Sequence, residues 1–155
     1  MKKCVLITGA SRGIGRAIAT EFAKNGYSLI LNCHHSKELL LNLKQKLQTS
    51  YGIEVLTSIG NIGNFSYVST LFEEITEQFG GVDIVVNNAG ISHIGLLTDM
   101  TPEEWQTIIN TNLSSVFYTT KLAVPYMVTQ QCGKIINISS VWVKSIFATT
   151  SHFLL

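Results

Sequence analysis

Val5-Leu6-Ile7-Thr8-Gly9-Ala10-Ser11-Arg12-Gly13-Ile14-Gly15 is the stretch that decides the fold. A short, apolar, partly β-branched run empties into a turn with glycines at 9, 13 and 15. Ile14, Ile18 and Phe22, with Ala17, Ala19 and Ala23, then recur at helical spacing until Asn25-Gly26, a helix stop. Strand, glycine turn and helix in that order suit a phosphate. The backbone N–H groups of a helix N-terminus face the anion, and missing Cβ atoms let it approach. The spacing is GxxxGxG rather than GxGxxG, and no Gly-Lys-Ser/Thr of a P-loop follows. Taken alone, such a turn can also do no more than connect two elements.

The pattern repeats outward from this junction. Residues 27–32 read as a second strand, and Ser36 is placed to cap a helix carrying Leu40, Leu43 and Leu47, which ends near Tyr51-Gly52. Residues 54–59 form a third strand. A helix with Val68, Leu71, Phe72, Ile75 and Phe79 follows and stops at Gly80-Gly81. Residues 82–86 make a fourth strand running into Asn87-Asn88-Ala89-Gly90. Thr101-Pro102-Glu103-Glu104 carries a Thr N-cap, Pro at the first helical position and Glu for a capping box. The helical stretch from 101 to about 131 is long, with a kink or late irregularity expected at Pro125. Residues 134–138 are a fifth strand, ending at Ser139-Ser140. Strands alternating with helices predict a Rossmann-like, doubly wound α/β fold with a parallel sheet.

Composition agrees with one such domain. The chain has 155 residues, 46% hydrophobic and 14% charged, which excludes disorder. Eleven basic residues against ten acidic give a net charge of +1, with no Lys/Arg cluster for nucleic acid. Mean hydropathy is +0.28, and strands buried on both faces are its natural source. The apolar stretch after Met1-Lys2-Lys3 stops at Thr8-Gly9, too soon for a signal peptide, and no run of 18 apolar residues predicts a membrane span. Cys4, Cys33 and Cys132 are odd in number and far apart, arguing against a disulfide framework or zinc site and for a reducing cytosol.

Thr8 to Gly15 together with Asn87-Asn88-Ala89-Gly90 resembles the short-chain dehydrogenase/reductase family. Glu103-Glu104-Trp105, residues 112–117 and residues 133–141 narrow the resemblance to its 3-oxoacyl-(acyl carrier protein) reductase branch, over residues 3 to about 142. The resemblance implies a nicotinamide dinucleotide held by Gly9, Ala10, Ser11, Arg12, Gly13, Ile14 and Gly15 on the pyrophosphate and adenosine side. It implies Asn61-Ile62 at the adenine, where the family often has Asp-Val, and Asn88, Ala89 and Gly90 beside the ribose. Ser140 matches the serine that hydrogen-bonds the substrate oxygen, and Asn112 the helical asparagine that holds a proton-relay water. Outside that context Ser139 and Ser140 read as strand-end caps, and Asn87-Asn88 as a polar turn.

The end of strand two discriminates between cofactors. An acid there would bind the ribose 2′-OH of NAD and repel the phosphate of NADP. The stretch reads Asn32-Cys33-His34-His35-Ser36-Lys37, with no acid before Glu38. Arg12 is positioned in the family to meet a 2′-phosphate bidentately. NADP(H) is therefore favoured over NAD(H). A metal site at His34-His35 is not expected, because adjacent residues on an extended segment point opposite ways. They read as two solvated loop histidines, with His34 at the adenosine end. His93 borders the substrate pocket or serves as a plain loop residue.

The chain departs from the family where a proton must be delivered. The family's donor is Tyr with Lys four residues later, and none of Tyr27, Tyr51, Tyr67, Tyr118 and Tyr126 has that Lys or follows Ser140. By spacing the Tyr falls at Phe153. Losing a positioned general acid costs about 10²–10⁴-fold. Residues 143–155 contain no Gly, Pro or acid and read as a non-matching tail after a 1–142 dinucleotide-binding part, as a frameshift or truncation would leave. The expectation is a Rossmann sheet truncated after about its fifth strand, with an unpaired edge. Three readings stay open: the N-terminal part of a cytoplasmic reductase acting on a small-molecule or acyl-carrier-bound carbonyl, a non-enzymatic nucleotide-binding remnant or inert fragment, and a redox-sensing regulatory module, which is less favoured because no effector-binding or DNA-reading segment is evident. The family is homo-oligomeric, and this chain is expected to self-associate or aggregate.

Overall fold

The computed structural model describes residues 3–140 and 151–153; Trp142 and most of the tail at 143–155 lie outside the described residues. In chain order the elements are β1 (Cys4–Ile7), α1 (Gly13–Lys24), β2 (Ser28–Cys33), α2 (Lys37–Tyr51), β3 (Val55–Ile59), α3 (Phe65–Phe79), β4 (Ile84–Asn87), β5 (His93–Gly95), α4 (Pro102–Ile109), α5 (Ser115–Thr129), β6 (Lys134–Asn137) and β7 (Ser151–Phe153). Five strands form one sheet in the order β3-β2-β1-β4-β6, every pairing parallel. The short β5 and β7 pair antiparallel apart from it.

Alternation along each inner strand divides the core in two. Val5 and Ile7 of β1, Leu29 and Leu31 of β2, and Ile84 and Val86 of β4 face α1 and α2, where Ala19, Ala23, Leu40, Leu43 and Leu47 meet them. Leu6, Ile30 and Val85 point the other way, onto Val68, Leu71 and Ile75 of α3 and Ala123 and Met127 of α5. Sequential strands with helices on both faces need right-handed crossovers, and the doubly wound sheet results.

Helix ends follow local chemistry. Thr101 and Glu104 close the expected capping box: the Glu104 N–H donates to Thr101 Oγ1 at 3.1 Å, and the Thr101 N–H to Glu104 Oε2 at 2.9 Å. Gly52 and Gly80 end α2 and α3 in the left-handed conformation. Ser36 occupies the N-cap of α2 but makes no side-chain cap bond.

The long helix differs from expectation in one respect. Its break is not at Pro125, which lies inside α5, but at a π-helical turn over Asn110–Ser114. Pro125 lacks an N–H, but neighbouring turns carry the helix past it to Thr129.

The sheet is well covered at its centre and less so at its β6 edge. Leu6 and Ile30 are fully buried, whereas Ile136 of β6 and Ile138 just beyond it are each 39% exposed. Among the described residues β6 is an edge. Leu6→Ala is therefore expected to lower the unfolding free energy by about 2–5 kcal/mol, and Ile136→Ala by under about 1 kcal/mol. Urea titrations followed by far-UV circular dichroism measure both; equal losses would place the stabilising core elsewhere.

Candidate functional site

The site is built where β1 and β4 end side by side. Thr8 is buried, and its hydroxyl oxygen accepts the Asn88 N–H at 3.0 Å and the Ala89 N–H at 2.9 Å. The Asn88 amide returns two bonds, from Nδ2 to the carbonyls of Thr8 at 2.9 Å and Gly9 at 3.2 Å. The glycine turn and the Asn-Asn-Ala-Gly turn are thereby locked together. The Ala10 N–H also donates to the Asn32 carbonyl at 2.9 Å, tying the glycine turn to the end of β2.

Space at the junction explains two of the glycines. A Cβ on Gly15 would press into the Gly9 carbonyl and come 2.6 Å from Asn88 Nδ2. Gly13 has a φ of +54°, and a Cβ there would project into open space. Arg12 holds the N-cap position of α1 in extended conformation without a side-chain cap bond. A helix start with no side chain folded over it, beside open space, fits an anionic diphosphate.

Two clefts open from this junction. The larger, about 620 Å³, is lined by Gly9, Ser11, Arg12, Gly13, Ile14, Asn32 to Ser36, Gly60 to Ile62, Asn88 to Ile91, Thr107 and Thr111, and includes no Asp or Glu. Of the residues expected at the dinucleotide, only Ala10 and Gly15 are outside this lining; both lie beneath it in the turn, buried. Ile62 is 3% exposed and packs into the core, so its side chain belongs mainly to the fold. Asn61 is exposed, with its Oδ1 accepting the Gly63 N–H at 2.8 Å.

The smaller cleft, about 380 Å³, brings Ser140 and Asn112 together with Ile14, Asn88 and Ala89. Asn112 sits in the π turn with both side-chain ends engaged: Nδ2 donates to the Ile91 carbonyl at 2.8 Å, and Oδ1 accepts the Ile91 N–H at 2.9 Å. Its amide thus fixes the segment after Gly90. His93 is half-buried in β5 and lines neither cleft.

His34 and His35 depart from expectation. Their rings stack, centroids 3.7 Å apart and tilted by 35°, instead of pointing opposite ways. Strand pairing stops at Cys33 and both histidines lie in a bend, so the two-residue alternation of a strand no longer applies. Partial burial, and then the neighbouring His35, push the His34 pKa down. Burial also raises the Cys33 thiol.

Four supporting residues, Thr8, Asn32, Ser58 and Tyr67, lie outside the site residues expected from the sequence. Besides Thr8, Asn32 Nδ2 donates to the Tyr67 hydroxyl at 2.9 Å and the Gly60 carbonyl at 3.2 Å, and Tyr67 shares a 2.6 Å bond with Ser58 Oγ. This network holds the ends of β2 and β3 against α3, under the cleft floor. Burial raises the Tyr67 hydroxyl, whose bonds to Ser58 and Asn32 oppose the rise. The available signal was an Asn ending the apolar run Leu29-Ile30-Leu31, since a buried amide requires partners.

The sequence model of the short chain dehydrogenase family matches residues 3–153. The chain belongs to the short-chain dehydrogenase family. It is 40% identical over 141 residues to 3-oxoacyl-[acyl-carrier-protein] reductase FabG of Staphylococcus aureus, covering 91% of this chain and 57% of that one. FabG of Thermotoga maritima is 39% identical over 139 residues, covering 90% and 56%. The chain thus spans little more than half the length of these curated relatives. Among solved structures, L-sorbose reductase of Gluconobacter frateurii complexed with NADPH and L-sorbose superposes with a TM-score of 0.87 at 30% identity, covering 92% of this chain and 54% of that one. An alcohol dehydrogenase of Thermococcus sibiricus complexed with 5-hydroxy-NADP gives 0.87 at 31%, covering 96% and 63%. Among the described residues no helix is long and apolar enough to cross a membrane.

In this short-chain dehydrogenase chain the Thr8 hydroxyl is the centre of the junction. Thr8→Val, nearly isosteric, leaves two backbone N–H groups without their acceptor and is expected to cost about 1–3 kcal/mol. Hydrogen exchange at the amides of Asn88 and Ala89 should accelerate before that of the β1 core; unchanged exchange would refute the clamp.

Proposed function

We propose that residues 1–142 form the dinucleotide-holding part of an NADP(H)-dependent reductase of the 3-oxoacyl-(acyl carrier protein) type, and that these 155 residues bind the dinucleotide without turning over a carbonyl. The observation that carries the first half is the open turn at Gly13 beside Arg12, backed by the Gly15 contact that forbids a side chain. Gly9, Ala10, Ser11, Gly13, Ile14 and Gly15 shape the diphosphate cradle. Arg12 and His34 lie toward the adenosine ribose, Asn61 and the Ile62 backbone toward adenine, and Asn88, Ala89 and Gly90 beside the second ribose. The lack of any acid along the larger cleft supports NADP(H) over NAD(H). The two solved relatives, complexed with NADPH and with 5-hydroxy-NADP, point the same way.

The chemistry that a bound nicotinamide would supply in a complete reductase is hydride donation to the carbonyl carbon. The chain's own part in that reaction is positioning. Ser140 donates to the carbonyl oxygen from the smaller cleft, which favours charge on that oxygen. Asn112, its side chain committed to Ile91, acts by holding the cleft wall, so a relay water would rest on its backbone rather than on its amide. No Tyr with Lys four residues on is present to deliver the proton. Phe153, at the expected Tyr position, falls in β7 and has no ionisable proton.

Calorimetric titration with NADPH tests the reading together with an acetoacetyl-thioester assay. Binding is expected in the wild type and a loss of at least about tenfold in Gly15→Val, where the side chain displaces the junction. Turnover is expected to be undetectable; robust turnover, or undiminished affinity in Gly15→Val, would overturn the proposal. The exposed side chains of Leu113, Phe117, Val128, Ile136 and Ile138 favour self-association. Light scattering should show species larger than 17.1 kDa, and a strictly monomeric chain at high concentration would speak against it.

A further inference from the structure

We propose that the stacked His34–His35 pair selects for a 2′-phosphate by taking up a proton, so that preference for the phosphorylated dinucleotide strengthens as pH falls. The inference rests on the reading of the larger cleft as a dinucleotide site. Both rings are exposed at the bend after β2 and line that cleft with Arg12. At 3.7 Å between centroids, two imidazolium rings would repel each other strongly. A proton on one ring therefore opposes a proton on the other, and the lowered His34 agrees.

The surroundings leave the pair as the variable charge. From α1 comes Arg12, a fixed cation. Cys33, on the same segment, is kept neutral by burial. Gly60, Asn61 and Ile62 from the β3–α3 turn, the Asn88–Gly90 turn, and Thr107 and Thr111 from the α4 side carry no titrating group. Lys37 and Glu38 open α2 next in sequence, of opposite sign and outside the cleft lining. A phosphate carries close to two negative charges at neutral pH, and Arg12 supplies one positive. The second comes from a histidine proton that the phosphate itself stabilises.

The sign follows from linkage. Phosphate binding raises the histidine pKa, so between the free and bound values a proton enters with the ligand. Affinity then falls by up to about tenfold per pH unit as pH rises through that window, and levels off below the free value. NAD, lacking the phosphate, draws no proton there. Measurements stay above about pH 6.5, because the phosphate's own second ionisation lies near pH 6.

The test is isothermal titration calorimetry of the full chain with NADP⁺ and NAD⁺ between about pH 6.5 and pH 8.5, in buffers of different ionisation heat. The ratio of NADP⁺ to NAD⁺ affinity is expected to fall about tenfold across the range, with proton uptake for NADP⁺ alone. In His34→Gln/His35→Gln the ratio should lose its pH dependence. Arg12→Gln should weaken NADP⁺ at every pH and keep the slope. A flat ratio in the wild type, or a slope surviving in the double histidine variant, overturns proton-linked selection while leaving the dinucleotide site standing. Failure of either dinucleotide to bind at any pH overturns both.

Discussion

The hydroxyl of Thr8 joins the two strands on which the site depends. A threonine side chain offers one donor and two acceptor positions, and here it receives two successive backbone N–H groups of the β4 turn while buried. Asn88 answers with its amide on the β1 turn. These bonds lie where strand order reverses, with β2 on one side of β1 and β4 on the other, the position at which open α/β sheets form a crevice. The lock needs a close approach of two backbones, and Gly9 and Gly15 permit it: a Cβ on Gly9 would sit 3.0 Å from Ala89 Cα. The glycines thus serve the joint as much as any ligand.

From that joint the two clefts diverge while sharing walls. Ile14, Asn88 and Ala89 border both. Ile14 is 61% exposed at the first turn of α1, an unusual place for a large apolar side chain unless a ligand surface covers it. On the far wall the π turn at Asn110–Ser114 brings Asn112 back to Ile91. π turns recur at functional sites because one extra residue redirects the side chains around it. A second polar chain runs beneath: Thr119 Oγ1 donates to Asn87 Oδ1 at 2.7 Å, and Asn87 Nδ2 to Asn137 Oδ1 at 2.9 Å. It ties α5 to β4 and β6, and so sets the approach of Ser139 and Ser140 to the smaller cleft.

Periodicity and punctuation made the sheet legible. Leu29-Ile30-Leu31 could be buried only on both faces, and Thr101 with Pro102 and Glu104 carries its capping geometry in the residue types themselves. The glycine turn was legible for the same reason, because a φ of +54° at position 13 favours a residue without Cβ. Other features depend on partners far along the chain. The stacking of His34 on His35 depends on where pairing with β3 stops, which a strand pattern locates only within a residue or two. Nothing local marks the π turn, since Asn110, Thr111 and Asn112 are ordinary helix-surface residues until Ile91 is placed opposite them. Ser36 shows the converse: a good capping residue type whose hydroxyl the fold does not use as a cap.

Holding a dinucleotide and reducing a carbonyl make separate physical demands on this architecture. In the proposed reading the first is met by backbone geometry at the glycine turn and by charge from Arg12 and the end of β2, with the β4 turn closing the cleft. The second also needs a proton delivered to the carbonyl oxygen as the hydride would reach the carbon, from a positioned group of suitable pKa. Ser140 and Asn112 can shape the carbonyl's surroundings, but a serine hydroxyl has little tendency to release its proton at neutral pH unless a base activates it. In the proposed reading, affinity for the dinucleotide therefore stands independently of turnover. Substitutions along Gly9–Gly15 and at His34 or His35 would alter binding, whereas those at Ser140 would be felt only where a proton donor completes the site.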